Sequence, residues 1–364
     1  MLPRTRTLCC ALALAAAVLS ACRGDSPQAP MEVARFTRLS SASVERLRLV
    51  KVDSVILGTA RDGVSAITDF EEHDGEFYVL DAMSKSVRVF DRAGALKRVI
   101  GRAGHGPGEF TDPVSMAFVG GRMYVADPHS GKRLSTFAPG GRFERETELN
   151  VPTVPVSLAE SGDRIATLGI LVSGDPARQQ WATMAVSTPD GRTVGRGCVL
   201  DPRYVESARR DGMIAHFDFG SVAARGDRIY CVQGISPVVQ VMDRAGNPVG
   251  QIRVAPPFYL APRDQQLTMN QKAIFDFMAG FTAHAGFFPV EGGFVSAYSR
   301  FDRAQGEVRF HLFVCHGERQ PRCGTVVNVR RPVYVPSLST VYLEEEAQPN
   351  APMQVGIYRV EPTA

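Results

Sequence analysis

Residues 67–101 hold Phe77-Tyr78-Val79-Leu80-Asp81, then Val87-Arg88-Val89-Phe90, then the turn Asp91-Arg92-Ala93-Gly94. Residues 114–150 repeat that order as Met123-Tyr124-Val125-Ala126-Asp127, Leu134-Ser135-Thr136-Phe137 and Pro139-Gly140-Gly141. Short β-branched and aromatic runs bounded by turn formers read as antiparallel strands. A sheet unit that returns after roughly 40 to 50 residues marks a β-propeller.

Working outward, the series continues. A third unit runs through Arg164-Ile165-Ala166-Thr167-Leu168, Trp181-Ala182-Thr183-Met184-Ala185-Val186 and Pro189-Asp190-Gly191. The fourth holds Arg228-Ile229-Tyr230-Cys231-Val232, Val238-Val239-Gln240-Val241 and a second Asp243-Arg244-Ala245-Gly246. A fifth holds Gly293-Phe294-Val295-Ser296-Ala297-Tyr298 and the run 308–314, and the sixth spans 332–360 with only three strands. Residues 44–57 alternate like a strand but lack a hairpin partner. The expected fold is therefore all-β: a six-bladed propeller over 44–364, whose N-terminal strand closes the last blade and removes exposed sheet edges. One inserted helix is expected within 262–280, where Leu267, Ile274, Phe277, Met278 and Phe281 fall on one helical face between a Pro and a Gly.

The chain of 364 residues carries 41 basic and 38 acidic residues, and Arg4 and Arg6 lie in its first segment. Such balance argues against nucleic acid, which demands a concentrated basic stripe. Arg4 and Arg6 precede an apolar run over 8–19 that is too short to span a bilayer, so 1–22 reads as a cleaved export signal. Its end, Leu19-Ser20-Ala21-Cys22, resembles the lipobox of bacterial lipoproteins. That resemblance implies lipid attachment at Cys22 and, with Arg23 following, the outer membrane, on its periplasmic side or at the cell surface. Residues 23–43, rich in Ser, Pro and Ala, read as a flexible tether. Of the remaining cysteines, Cys198, Cys231, Cys315 and Cys323, the last two flank a turn and are expected to bridge it; three pairings of the four exist.

The connector Ile100-Gly101-Arg102-Ala103-Gly104-His105-Gly106-Pro107-Gly108-Glu109-Phe110-Thr111-Asp112-Pro113, followed by Met123-Tyr124-Val125-Ala126-Asp127, resembles the NHL-repeat and TolB-like six-bladed propellers, in the form of a bacterial lipoprotein. Glycines permit positive-φ corners there, Phe110 can seat between sheets, and Asp81 and Asp127 would each end an inner strand and bond nearby amides. The resemblance implies that binding occurs on the face made by the blade connectors and the loops between second and third strands. That face would present Arg102, His105, His129, Lys132, Arg133, Arg178, Arg300 and Arg303.

The expected function is a binding or scaffolding module for an envelope protein, peptide or glycan, touching the membrane through its lipid anchor only. The alternative is a metal-dependent lyase or hydrolase. His105, His216 and His284, on three connectors, would hold zinc as in amidoglycolate lyase, which the chain resembles in type. A calcium-dependent lactonase would draw on carboxylates such as Asp69, Asp112 and Asp218. No nucleophile elbow, P-loop or dinucleotide fingerprint is present.

Overall fold

Period-two alternation builds five antiparallel-based sheets. In this computed structural model residues 44–363 are described, apart from 129–130, 152, 172–181, 206–219, 254, 264–269, 318–321 and 346–350. Cys22 with the leader and tether, His129, Arg178, His216, Asp218 and Leu267 lie outside the described residues.

After β1 (Glu45–Ile56), the first sheet is β2 (Ile67–His73), β3 (Glu76–Asp81), β4 (Ser86–Phe90) and β5 (Leu96–Ile100), hydrogen-bonded in chain order. The second is β6 (Ser115–Val119), β7 (Arg122–Ala126), β8 (Arg133–Phe137) and β9 (Phe143–Glu148). The third is β10 (Thr153–Ser161), β11 (Arg164–Leu171), β12 (Ala182–Ser187) and β13 (Thr193–Val199). The fourth is β14 (Ser221–Arg225), β15 (Arg228–Val232), β16 (Val238–Asp243) and β17 (Pro248–Arg253).

An eight-stranded sheet completes the set. Its one half is β18 (Ala283–Val290), β19 (Gly293–Asp302), β20 (Glu307–His316) and β21 (Arg322–Val329). Its other half is β22 (Pro332–Ser337), β23 (Thr340–Glu344) and β24 (Gln354–Pro362), onto which β1 pairs antiparallel from Leu47↔Pro362 to Ile56↔Gln354. Among the described residues the halves are joined in strand pairing by Glu45↔Gly324 and Arg46↔Thr325, parallel partners in β1 and β21.

The sheets stand in a propeller arrangement, and the core lies in the seams between neighbours. Val89, Ile100, Met116 and Val125 share one cluster across the first and second sheets. Tyr230, Val239, Phe287 and Phe294 do the same between the fourth sheet and β18–β21. Phe70 and Phe77 of the first sheet pack with Val55 of β1 and with Val333 and Val355, which closes the circuit. Each such side chain contributes about 1.5–3 kcal/mol on burial, so the ring is held at its seams and its axis stays free. Phe110 is fully buried in the first of these clusters. Gly101, at φ +72°, lies beneath it: a Cβ there would meet the Phe110 ring at 2.3 Å.

The helix, α1 (Gln271–Met278), is shorter than the 262–280 segment in which it was expected. Asn270 caps it, its side chain accepting from the Ala273 amide at 2.8 Å. Phe277 and Phe281 pack on Leu200, Tyr204 and Ile235, beside a single helical turn at 202–205. Among the described residues no helix is long and apolar enough to cross a membrane. Cys315 and Cys323, cross-strand partners in β20 and β21, form one disulfide, and Cys198 of β13 and Cys231 of β15 form another that ties the third sheet to the fourth.

Candidate functional site

The first strands β2, β6, β10, β14, β18 and β22 together line a central cavity of about 750 Å³. Antiparallel order puts the sheet-to-sheet connectors and the second-to-third loops at one end of these strands, and the first-to-second hairpins at the other. The cavity runs from the first residues of the strands to the hairpin face, where Gly162, Gly226 and Arg244 line it.

A repeated hydrogen bond ties its wall together. Asp69 of β2 accepts from the Met116 amide at 2.8 Å and the Ser115 hydroxyl at 3.0 Å. Ser115 accepts from the Leu158 amide at 3.1 Å, and Ser157 from the Val222 amide at 3.1 Å. In each case a polar side chain takes the N–H of the residue after its counterpart one sheet on. Gly286 holds the matching position in β18 and has no side chain to accept. Where the last blade meets the first, Arg331 donates to the carbonyls of Ile67 at 2.6 Å and Thr68 at 2.7 Å.

One turn nearer the hairpins the wall changes character. Where Ala117, Ala159 and Ala223 stand on their strands, β2 carries Glu71. Its carboxyl touches channel solvent yet is enclosed by protein, and it has no hydrogen-bond partner among the described residues. Burial, then the like charges of Asp69 and Glu160, push it well above the usual carboxylate range. Burial also raises Asp69 against its hydrogen bonds. Across the channel the fourth sheet brings Arg225 and Arg244, both exposed and without a carboxylate partner among the described residues. Arg244 is fixed by two bonds to the Gly226 carbonyl, at 3.1 and 2.9 Å. The cavity therefore has an acidic side, a basic side, and apolar wall from Phe70, Phe118, Phe287 and Phe288.

The residues expected to bind lie elsewhere. Arg102, His105, Lys132, Arg133, Arg300 and Arg303 belong to the connector end, and none lines the cavity. Arg102 pairs with Glu109 at 2.7 Å, Arg133 with Glu146 at 3.5 Å and Arg303 with Asp276 at 3.1 Å, which neutralises much of that basic face. His105 meets the Thr111 hydroxyl at 3.2 Å.

His284 does not reach the channel mouth with it. It is fully buried, stacked on Tyr298 at 4.5 Å, with its ring nitrogens 3.3 Å from the Ser236 carbonyl and 3.2 Å from the Ser296 hydroxyl. Burial drives its pKa down to about 3, so it is a neutral, fully engaged core residue. Strand β18 turns His284 into a seam, away from His105, and His216 lies outside the described residues. Among the described residues no group of three or more His, Cys, Asp or Glu side chains could hold a metal ion. Asp81 ends β3 and Asp127 directly follows β7, so both sit at the close of a second strand rather than an inner one. They brace the connectors, Asp81 accepting from the Ala66 amide at 3.1 Å and Asp127 from the Thr111 amide at 2.6 Å.

Glu71, Glu160, Arg225 and Arg244 were missed by sequence reasoning. For Glu71 the available signal was a carboxylate on a first strand at the place where the next three units carry alanine.

With this geometry in view, comparisons bear on the fold. The DUF5128 family model, described as a 6-bladed beta-propeller, matches residues 48–163. An exported protein of Bacteroides fragilis has a similar structure, at TM-score 0.61 and 13% identity over 90% of this chain and 98% of that one. A member of the duf4221 family from Bacteroides vulgatus is similar at TM-score 0.59 and 9% identity, over 88% of this chain and 99% of the other. No curated protein matches the sequence. At these identities the likeness shows the propeller fold alone.

Proposed function

We propose that the chain is a six-bladed propeller of the bacterial envelope, anchored by lipid at Cys22, that binds a small ligand or a segment of a partner in its central channel. The observation that carries this reading is the cavity of about 750 Å³ lined by six first strands, within the range of ligand-binding pockets. Counting β18–β21 as one blade and β22–β24 with β1 as the next gives six, in keeping with the description of the matching family model. Loops of the NHL-repeat and TolB-like type on the connector face would then serve partner docking. The lipobox-like Leu19-Ser20-Ala21-Cys22 supports export and anchoring.

The test is a blocked channel. Ala223 lines the cavity, half-buried, and Ala223→Trp places a large ring in the lumen. The full chain in detergent is titrated with short peptides, oligosaccharides and organic acids, with and without the plug. Binding that the plug abolishes while the melting temperature holds supports the channel. Ligands that bind the plugged protein equally well would move the site to the connector face.

A further inference from the structure

We propose that the channel recognises a short zwitterionic peptide, its ammonium end at Glu71 and Glu160 and its carboxylate end at Arg225 and Arg244. This deepens the channel-binding reading and rests on it.

Three observations bring it. First, Glu71 and the two arginines stand on sheets that are not neighbours, and Glu160 lies between them on β10, beside the fourth sheet. Glu71 belongs to β2, and Arg225 and Arg244 to the fourth sheet. Neither arginine has a carboxylate partner among the described residues, although Arg92, in the same kind of turn, is paired with Glu72.

Second, Glu71 is an enclosed carboxyl with no hydrogen-bond donor among the described residues, at positions where three neighbouring strands carry alanine. The Glu71 side chain is half-buried, and a carboxyl partly withdrawn from water without a donor recovers free energy when a ligand supplies one. An ammonium is the donor that answers three nearby carboxyl groups, Asp69, Glu71 and Glu160. Charge-assisted bonds of this kind are about twice as strong as neutral ones.

Third, the spacing selects the ligand's length. In the hairpin register Glu71 opposes Tyr78 and His73 opposes Glu76, while Arg225 opposes Arg228 in the matching place to His73. Glu71 thus lies two residues deeper than Arg225, or about 7 Å along the channel at ~3.3 Å per strand residue. A peptide spans at most ~3.3–3.6 Å per residue, so a backbone of two or three residues covers the depth from Arg225 to Glu71. The wall between them, with Phe118, Phe287 and Phe288, suits small apolar side chains.

The experiment is calorimetric titration of the full chain in detergent with trialanine, N-acetyl-trialanine and trialanine amide. Trialanine is expected to bind, and each blocked form to bind at least about tenfold more weakly, the loss of one charge-assisted bond. Glu71→Gln should remove the penalty for N-acetylation, and Arg244→Ala the penalty for the amide, with circular dichroism melts reporting on folding. Blocked forms that bind as tightly as trialanine overturn the proposal. If trialanine does not bind while another probe does so in a manner lost in Ala223→Trp, the zwitterion fails and the channel reading stands. If no probe binds in that manner, both fall.

Discussion

The first sheet and the fourth are built on the same plan around the same turn. Asp91 accepts from the Ala93 and Ala95 amides, both at 3.0 Å, and Asp243 from Ala245 and Asn247 at 2.8 and 2.9 Å. Each turn then sends its arginine back to a hairpin carbonyl, Arg92 to Gly75 at 3.3 Å and Arg244 to Gly226 at 3.1 Å. There the likeness stops. Glu72 neutralises Arg92 and also accepts from the Tyr334 hydroxyl at 2.9 Å, while the matching residue of β14 is Ala224 and leaves Arg244 its charge. Asp69 locks β2 to β6, whereas Ser221, in the same place on β14, has no hydrogen-bond partner for its hydroxyl among the described residues. The repeated scaffold fixes where a side chain points. The residue chosen at each repeat decides whether that place is structural or open to a ligand.

The largest expected effect concerns the seams. The fourth sheet is tied to the third by Cys198–Cys231, at a sequence separation of 33, while Cys315–Cys323 closes a separation of only 8 within one sheet. Loop-closure entropy gives about 4 kcal/mol for the first and about 2.5 kcal/mol for the second. Denaturant melts of Cys198→Ala/Cys231→Ala and Cys315→Ala/Cys323→Ala should rank in that order, and the reverse ranking would mean that the seam gains nothing from its covalent tie.

Next comes the inner-strand lock. Asp69→Ala strands the Met116 amide and the Ser115 hydroxyl and should cost about 2–3 kcal/mol. Ser221→Ala should change stability by less than about 0.5 kcal/mol. Equal losses in the two variants would erase the distinction between these sheets.

The smallest stability effect, and the sharpest for function, is an exchange of charge. Glu72→Ala removes a partly exposed pair and should cost about 0.5–1 kcal/mol by thermal melt. Ala224→Glu supplies Arg244 with the carboxylate that Arg92 already has. Trialanine should then lose its preference over trialanine amide; an unchanged preference would show that Arg244 does not read the carboxylate.

Much of the strand content was legible because the units around 76–90 and 122–137 alternate cleanly and end in glycine-rich turns, a local signal. The five-residue run at 77–81 and its copy at 123–127 match β3 and β7 to within a residue at each end. The helix was less legible: helical periodicity persists over 262–280, but Asn270 supplies the cap that starts α1. The site was least legible. Histidines and arginines on loops drew notice because such groups do chemistry, yet His284 is consumed by Ser236, Ser296 and Tyr298, and Arg102, Arg133 and Arg303 by carboxylates. Partnership is a property of space, and a sequence does not display it.

What the sequence by itself determined was the repeating sheet unit, since strand period, turn chemistry and spacing are all encoded within some fifty consecutive residues. Tertiary structure alone decided which residues face the axis. Glu71, Glu160, Arg225 and Arg244 come from three sheets and from chain positions far apart, and each is unremarkable in its own segment. Closing the sheets into a ring brings their first strands around one cavity, where burial and neighbouring charge give those four side chains a joint meaning.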